Sequence, residues 1–142
     1  MNDIRICFVG DSFVNGTGDE STLGWAGRLC RDAHAQGVPL TGYNLGVRRE
    51  TSRDICRRLE AECTPRLPAD CDGRIVLSCG VNDSSWEDGA RRVPFEESIA
   101  CLDTMPGNQR RNLSHHPGGT RNAAPGQLRP GGRHLIAGLA AN

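Results

Sequence analysis

The chain has 142 residues, a length that suits one domain with one modest core. Its 17 basic residues, all of them arginine, balance 17 acidic residues, so net charge gives no reason to expect nucleic-acid binding. The N-terminus lacks the pattern of a signal peptide, and no apolar run approaches the ~20 residues of a membrane span. The seven cysteines are odd in number and include no Cys-x-x-Cys pair. That usage favours buried reduced thiols in a cytoplasmic protein over disulfides or a zinc site.

The first predicted element is a strand that begins at Ile4. Residues 6–9 form an almost uninterrupted apolar run, which is typical of a strand buried on both faces of a parallel sheet. Gly10 ends this run, and Asp11 and Ser12 follow at the carboxyl end of the strand. Because ligands bind at that edge of an open α/β sheet, Ser12 is a candidate nucleophile.

A helix and a second strand come next. The helix is predicted over Thr22 to Gln36, with Trp25, Leu29 and Ala33 spaced along one apolar face. We interpret Trp25 as a core residue rather than a platform on which a substrate stacks. The second strand is predicted from Leu40 to Gly46.

A second helix is predicted to begin where Thr51 and Asp54 supply a cap and a first-turn carboxylate, and to end near Pro65. The third strand is Arg74 to Cys79, bounded by glycine on both sides. The segment Gly80-Val81-Asn82-Asp83 follows this strand directly. Standing alone, Asn82 and Asp83 would be ordinary turn residues.

One more helix is predicted before the composition changes. Residues 84–93 read as a polar loop, and Pro94 then suits the first turn of a helix. Ile99 and Leu102 give this helix an apolar face that can pack on a core. Residues 1–105 therefore form the predicted domain.

The composition of residues 106–134 differs from that of the rest of the chain. The segment has no valine, isoleucine, aromatic or acidic residue, and Leu113 and Leu128 are its only large apolar side chains. We predict that residues 106–142 are a poorly ordered tail with a short helix over 133–141. Codons for residues 113–120, shifted by one base, permit an apolar strand, so a disruption of the reading frame after about Met105 is one explanation.

Three of these segments resemble the sequence blocks of the SGNH hydrolases, also called the GDSL lipase/esterase family. Residues 8–16 look like the first block, Asn44-Leu45-Gly46 like the second, and Gly80-Val81-Asn82-Asp83 like the third. Each block is weak by itself, and a glycine after a strand is usually a turn residue. Their ordered set is specific. The resemblance implies a three-layer α/β/α sandwich with a parallel sheet of flavodoxin-like strand order.

The resemblance also implies a GDSL-like lipase or acylhydrolase, a serine ester hydrolase that works through an acyl-enzyme. Ser12 would be the nucleophile. Its own N–H, the Gly46 N–H and the Asn82 side-chain amide would form the oxyanion hole. The supporting residues would be Gly10, Asp11, Gly80 and Asp83. The implied substrate is a small ester, and we expect no cofactor, metal, nucleic acid or membrane partner.

The general base of the family has no recognisable counterpart in this sequence. The resemblance implies a histidine near the C-terminus within Asp-x-x-His, yet no acidic residue follows Asp103. His115, His116 and His134 therefore stand outside that motif. A serine without an adjacent base is a poor nucleophile, so we expect a chain that is truncated relative to the family and feebly active or inactive.

Two other interpretations stay open. In the first, the chain is a non-catalytic remnant or a binding module that keeps the same crevice. In the second, it is a phosphate-binding, flavodoxin-like domain in which residues 10–12 cradle an anion at a helix start. The second leaves residues 80–83 without an explanation.

Overall fold

A computed structural model of the chain describes residues 3–105 in full and the backbone of residues 134–139. The following elements occur along the chain: β1 Ile4–Gly10, α1 Ser12–Asn15, α2 Gly24–Ala35, β2 Thr41–Gly46, α3 Ser52–Cys63, β3 Asp72–Cys79, β4 Trp86–Glu87, β5 Ala90–Arg91, α4 Phe95–Thr104 and β6 His134–Leu139. The strand bounds agree with the sequence-based predictions for β1, β2 and β3 to within two residues.

The main sheet has four parallel strands in the order β2-β1-β3-β6. Gly10 at the end of β1 lies opposite Gly46 of β2 and opposite Ser78 of β3. The carboxyl ends of these three strands therefore meet at one edge. The order β2-β1-β3 followed by a further parallel strand is the flavodoxin-like order, which confirms the predicted fold class.

Helices cover the two faces of the sheet and make three layers. Cys7 and Val9 of β1 belong to a buried cluster with residues of α3 and α4, whereas Ile6 and Phe8 point to the other face and pack with Ala26 of α2. These four strand residues are all buried, as the apolar run predicted. The first strand is thus central to the core.

Helix α2 meets the sheet with a different face from the predicted one. Gly24 and Ala26 are its buried residues, whereas Trp25 is 36% exposed and Leu29 is 43% exposed. The Trp25 ring touches Phe8 edge-on, with 5.5 Å between ring centroids, and leaves its outer side open. Small residues let the helix lie close to the sheet, so the larger apolar side chains fall on its flank. The prediction that Trp25 lies within the core was wrong in this respect.

The two later helices begin with local signals that the sequence carries. Thr51 and Asp54 form a capping box at α3, in which each side chain accepts a hydrogen bond from the other residue's backbone N–H. Pro94 is the residue before α4 rather than part of its first turn. Residues 84–93, predicted as a loop, contain the short antiparallel hairpin β4–β5. Within the described part of the chain, no helix has the length and apolar character needed to cross a bilayer.

The helix predicted over residues 133–141 is wrong, because residues 134–139 form the strand β6. This strand pairs in parallel with β3, with His134 opposite Arg74 and Leu139 opposite Cys79. A short apolar run does not distinguish a helix from a strand, and pairing along β3 gives an extended backbone its hydrogen bonds. The prediction of a poorly ordered tail concerns residues 106–133, which lie outside the described residues.

Candidate active site

The candidate nucleophile lies on a tight turn between β1 and a short helix. Asp11 is the N-cap of α1, and its Oδ1 accepts a hydrogen bond from the Phe13 N–H at 2.9 Å. Gly16 ends the helix in the left-handed conformation, with φ of 84°. Ser12, the first residue of the helix, is half-buried. The cap and the glycine together fix the backbone on which the Ser12 hydroxyl is carried.

Two glycines allow the backbones around this turn to approach closely. A Cβ atom on Gly10 would overlap the Ser78 carbonyl oxygen and the Val14 side chain. A Cβ atom on Gly46 would overlap the backbone of Asn15 at the end of α1. Both positions therefore require glycine because of steric contact, which explains why the sheet edge and α1 pack so tightly.

The Gly46 N–H is used within its own loop. It donates to Asn44 Oδ1 at 3.0 Å, and Asn44 Nδ2 in turn donates to the Val14 carbonyl at 2.9 Å. The Gly46 carbonyl accepts from Asn15 Nδ2 at 3.3 Å. Gly46 thus lies at the edge of the sheet that the sequence predicted, beside α1, but its N–H already has a partner.

Asn82 reaches the residue that precedes Ser12. Its Nδ2 donates to the Glu50 carbonyl at 2.8 Å and lies 3.4 Å from Asp11 Oδ2. The second distance is at the long end for a hydrogen bond, so that contact is weak. The Asn82 amide is therefore firmly held on one side and loosely held on the side that faces the Ser12 turn.

Asp83 anchors the loop that carries Asn82. Its carboxylate is buried, with Oδ1 accepting from the Ser52 N–H at 2.7 Å and Oδ2 accepting from Ser98 Oγ at 2.6 Å. These bonds tie the loop to the first turns of α3 and α4. Gly80 starts the loop with φ of 111°, a conformation that glycine adopts without steric strain. Both supporting residues thus shape the loop that presents Asn82.

The structure brings the predicted site residues together at the carboxyl edge of the sheet. Gly10 and Gly46 are register partners on adjacent strands, and the Val47 N–H donates to the Gly10 carbonyl at 2.9 Å. The side chain of Asn82 spans from the third strand to Asp11. Ser12, Gly46 and Asn82 therefore lie at one edge of the sheet.

Three residues that build this edge had no role predicted from the sequence, namely Asn44, Glu50 and Arg58. Arg58 Nε donates to Glu50 Oε2 at 2.7 Å, and its Nη2 donates to the Gly10 and Leu45 carbonyls at 3.1 and 2.8 Å. The available signal was an arginine that interrupts the buried stripe of α3 beside Leu59. A charged residue at such a position needs partners in the core-facing layer.

Neither of the two histidines in the described residues lies near Ser12. His34 Nε2 is 2.9 Å from the Leu40 carbonyl, at the connection that leads into the amino end of β2. His134 starts β6 and lies four positions before Gly138, the residue level with Ser78 at the site's edge. Four strand positions correspond to about 13 Å. The described residues therefore offer the Ser12 hydroxyl no histidine, and His115 and His116 lie outside them.

The β4–β5 hairpin and the loop after β2 lie next to this edge of the sheet. Arg49 Nη2 donates to Glu87 Oε1 at 3.0 Å, and Arg92 Nη1 donates to the Arg49 carbonyl at 2.9 Å, which joins the β4–β5 hairpin to the loop after β2. Two apolar side chains next to the site residues in sequence, Phe13 and Val47, are exposed. The rim thus combines charge with open apolar surface.

No protein family and no curated protein matches the sequence, whereas several solved structures match the fold. AlinE4, an SGNH-hydrolase family esterase, is 19% identical with a TM-score of 0.58, over 72% of this chain and 51% of that chain. The psychrotrophic esterase EstA from Pseudoalteromonas sp. is 25% identical with a TM-score of 0.56, over 70% of this chain and 50% of that chain. TesA is 23% identical with a TM-score of 0.58, over 69% of this chain and 49% of that chain.

The chain therefore spans about half the length of these solved structures. The strand order and these likenesses together show that the chain has the α/β fold of the SGNH hydrolase family.

Proposed function

We propose that the chain carries the nucleophile and the oxyanion-binding part of a GDSL-type serine ester hydrolase that acts on small esters. The observation that carries this proposal is the contact between the Asn82 amide and Asp11, 71 residues apart in sequence. It brings a side-chain amide donor to the residue that precedes Ser12 at the end of a buried strand. Such a pairing suits acyl transfer, where a nucleophile and a donor to the developing oxyanion are both needed.

The reaction would proceed through an acyl-enzyme. Ser12 Oγ would attack the acyl carbonyl, and its proton would pass by way of solvent water to the departing alkoxide. The oxyanion formed in the attack would accept hydrogen bonds from the Ser12 N–H and from Asn82 Nδ2. The long 3.4 Å contact to Asp11 is the one that Asn82 would give up. The Gly46 N–H would join the oxyanion hole only after leaving Asn44 Oδ1. Expulsion of the alcohol and attack by water would then release the acid and restore Ser12.

The lack of an Asp-x-x-His motif in the sequence limits the expected rate. The Ser12 hydroxyl has no hydrogen-bond partner among the described residues, and no acidic residue follows Asp103 in the sequence. Removing one member of a catalytic triad costs several orders of magnitude in rate, while an oxyanion donor retains about 10²–10³. We therefore expect weak hydrolysis that still depends on Ser12.

A non-catalytic binding module is the second candidate. It is favoured by the fact that the Gly46 N–H and the Asn82 amide both have protein acceptors in this structure. The phosphate-binding alternative is disfavoured, because the Asp11 carboxylate occupies the N-terminus of α1 and would repel an anion there.

Hydrolysis of p-nitrophenyl acetate by the purified chain tests the proposal. We expect slow turnover that Ser12→Ala lowers and that Ser85→Ala, at an exposed serine of a neighbouring loop, leaves unchanged. Equal rates for the protein and Ser12→Ala would reject the hydrolase proposal and favour the binding module. Fast turnover lost in Ser12→Ala would mean that a histidine outside the described residues acts as base, and His115 and His116 would be the first to replace.

A further inference from the structure

Arg58 extends from α3 to the strand ends that carry the candidate site. Its guanidinium pairs with Glu50 at 2.7 Å, and only 17% of the Arg58 side chain and 18% of the Glu50 side chain are exposed. The same guanidinium donates to the carbonyls of Gly10 and Leu45. One group therefore contacts the ends of β1 and β2 and the loop that follows β2.

The carbonyls that Arg58 holds lie one or two residues before two of the candidate site residues along the chain. Gly10 is two residues before Ser12, and Leu45 is the residue before Gly46. At the ends of parallel strands, carbonyls lose the regular hydrogen bonds of the sheet. The Gly10 carbonyl accepts from the Val47 N–H at 2.9 Å, and Arg58 adds a second hydrogen bond to it. The planar, forked guanidinium can satisfy both carbonyls and a carboxylate from a single position. Its contacts thus fix the spacing between the two strand ends.

Arg58 is connected to the third candidate site residue through Glu50. The Glu50 carboxylate is its ion-pair partner, and the Glu50 backbone carbonyl is the acceptor that holds Asn82 Nδ2 at 2.8 Å. The loop on which Glu50 sits is therefore fixed at both its side chain and its backbone. A displacement of Arg58 would release Glu50 and with it the orientation of the Asn82 amide.

We propose that Arg58 is the positioning residue that sets the relative placement of Ser12, Gly46 and Asn82. It touches none of the reacting atoms and acts through the Gly10 and Leu45 carbonyls and through Glu50. The role in catalysis rests on the proposed function, whereas the role in placement concerns the folded chain itself. The test is therefore chosen so that it reads placement directly.

The experiment compares ¹⁵N-labelled protein with Arg58→Met and with the control Arg57→Met, whose wild-type side chain is 73% exposed on the same helix. In Arg58→Met we expect the Gly46 backbone amide and the Asn82 side-chain amide to shift, and the Asn82 amide to exchange with solvent faster. Amides of the core strands serve as the check of folding. Unchanged Gly46 and Asn82 signals in a folded Arg58→Met protein would overturn the proposal.

Two further variants keep the proposal falsifiable if Arg58→Met does not fold. Glu50→Gln removes the charge partner but keeps the backbone carbonyl, and we expect it to shift the same two amides by a smaller amount. Arg58→Lys keeps the charge without the fork, and complete restoration of the wild-type signals by lysine would overturn the proposal. Ester hydrolysis is measured in parallel: its absence in the unmodified protein would count against the proposed function and leave the amide shifts as the test of Arg58.

Discussion

Near the candidate site, Arg49 adopts an energetically unfavourable backbone conformation. Its φ is 66°, in the left-handed region, and the residue carries a long side chain rather than the short polar one that tolerates this region best. Asp88, with φ of 52°, is of the more tolerant type. The loop between β2 and α3 therefore stores strain at a position next to Glu50.

Replacing Arg49 with glycine should stabilise the protein. Relief of the left-handed strain should raise the free energy of unfolding by about 1–2 kcal/mol. The greater conformational freedom of glycine in the unfolded chain should lower it by about 0.4–1 kcal/mol. The lost pair with Glu87 is exposed and contributes little. We expect a gain of about 0.5–1 kcal/mol in the free energy of unfolding, measured as a higher midpoint in urea.

The neighbouring Arg48 supplies the control for this change. It lies in the same loop without a positive φ, so Arg48→Gly should destabilise the protein or leave it unchanged. If Arg49→Gly lowers the urea midpoint as Arg48→Gly does, the strain at position 49 does not contribute significantly to the stability of the protein.

At the scale of an element, α3 depends on its first turn. Thr51 Oγ1 lies 3.4 Å from the Asp54 N–H and 2.7 Å from Asp54 Oδ2, and the Thr51 N–H donates to the same carboxylate oxygen at 3.0 Å. The hydrogen bonds from the backbone and side chain of Thr51 lower the pKa of Asp54 below its ordinary value. The start of the helix that carries Arg58 therefore rests on an ionised carboxylate.

Removing this cap should weaken the fold in a pH-dependent way. We expect Thr51→Ala to lower the free energy of unfolding by about 1 kcal/mol at pH 7. Because the folded pKa of Asp54 is lowered, its contribution is fully present above the unfolded value of about 3.9 and is lost as pH falls through the folded value. Urea titrations at pH 7 and at pH 3 should therefore show a smaller Thr51→Ala effect at the lower pH.

Thr64→Ala, at the exposed C-terminal end of the same helix, is the matched control for the cap. It should change the midpoint little at either pH. An equal loss for both variants, or a Thr51→Ala effect that does not change with pH, would contradict the role assigned to the Asp54 carboxylate.

The elements also show which features the sequence could predict. Strand β1 was predictable because the apolar run from Ile6 to Val9 must be buried on both faces of the sheet. The start of α3 was predictable because its cap is formed by Thr51 and Asp54, which are close in sequence. The face that α2 turns to the sheet was not predictable. Periodicity identifies an apolar stripe, but it does not say which of two adjacent faces meets the sheet. For residues 134–139, the local sequence does not distinguish a helix from a strand. Pairing with β3 makes this segment a strand instead of the predicted helix.

The candidate site was predictable in position and less so in detail. Strand ends and motif order brought Ser12, Gly46 and Asn82 to one edge, because parallel strands end together. The partner of the Gly46 N–H was not predictable, since it depends on the rotamer of Asn44. Contacts such as Arg58 to Gly10 span 48 residues and follow from tertiary packing alone.

At the scale of the whole molecule, the two faces of the sheet are covered unequally. On β3, Ile75, Leu77 and Cys79 are buried under α3 and α4, whereas Val76 and Ser78 on the other face are half-buried. Within the described residues, α2 is the long helix on that second face, and it packs over β1 and β2. The part of the chain that the structure describes therefore has one complete core layer and one partial layer.

The layers predict an order of reactivity for the cysteines. All seven lie within residues 3–105, where no disulfide joins them. Burial raises the pKa of the Cys79 thiol to about 12, and a hydrogen bond with Cys63 together with burial raises that of Cys7. The thiolate is the reactive form, so thiols with raised pKa values that are also shielded react slowly. Partly exposed cysteines are Cys30, Cys56 and Cys101; the buried ones are Cys7, Cys63, Cys71 and Cys79.

Labelling the native protein with iodoacetamide at pH 8 should therefore modify the three partly exposed thiols first. The four buried thiols should react only as the protein opens, and labelling in urea without reductant should modify all seven. Intact mass at successive times counts the modified thiols, and digestion identifies them. Simultaneous labelling of all seven under native conditions would contradict the layered core, because both shielding and the raised pKa values would then be absent. A labelled count of five in urea would reveal a disulfide, and so would contradict the reduced state inferred from the odd number and spacing of the cysteines.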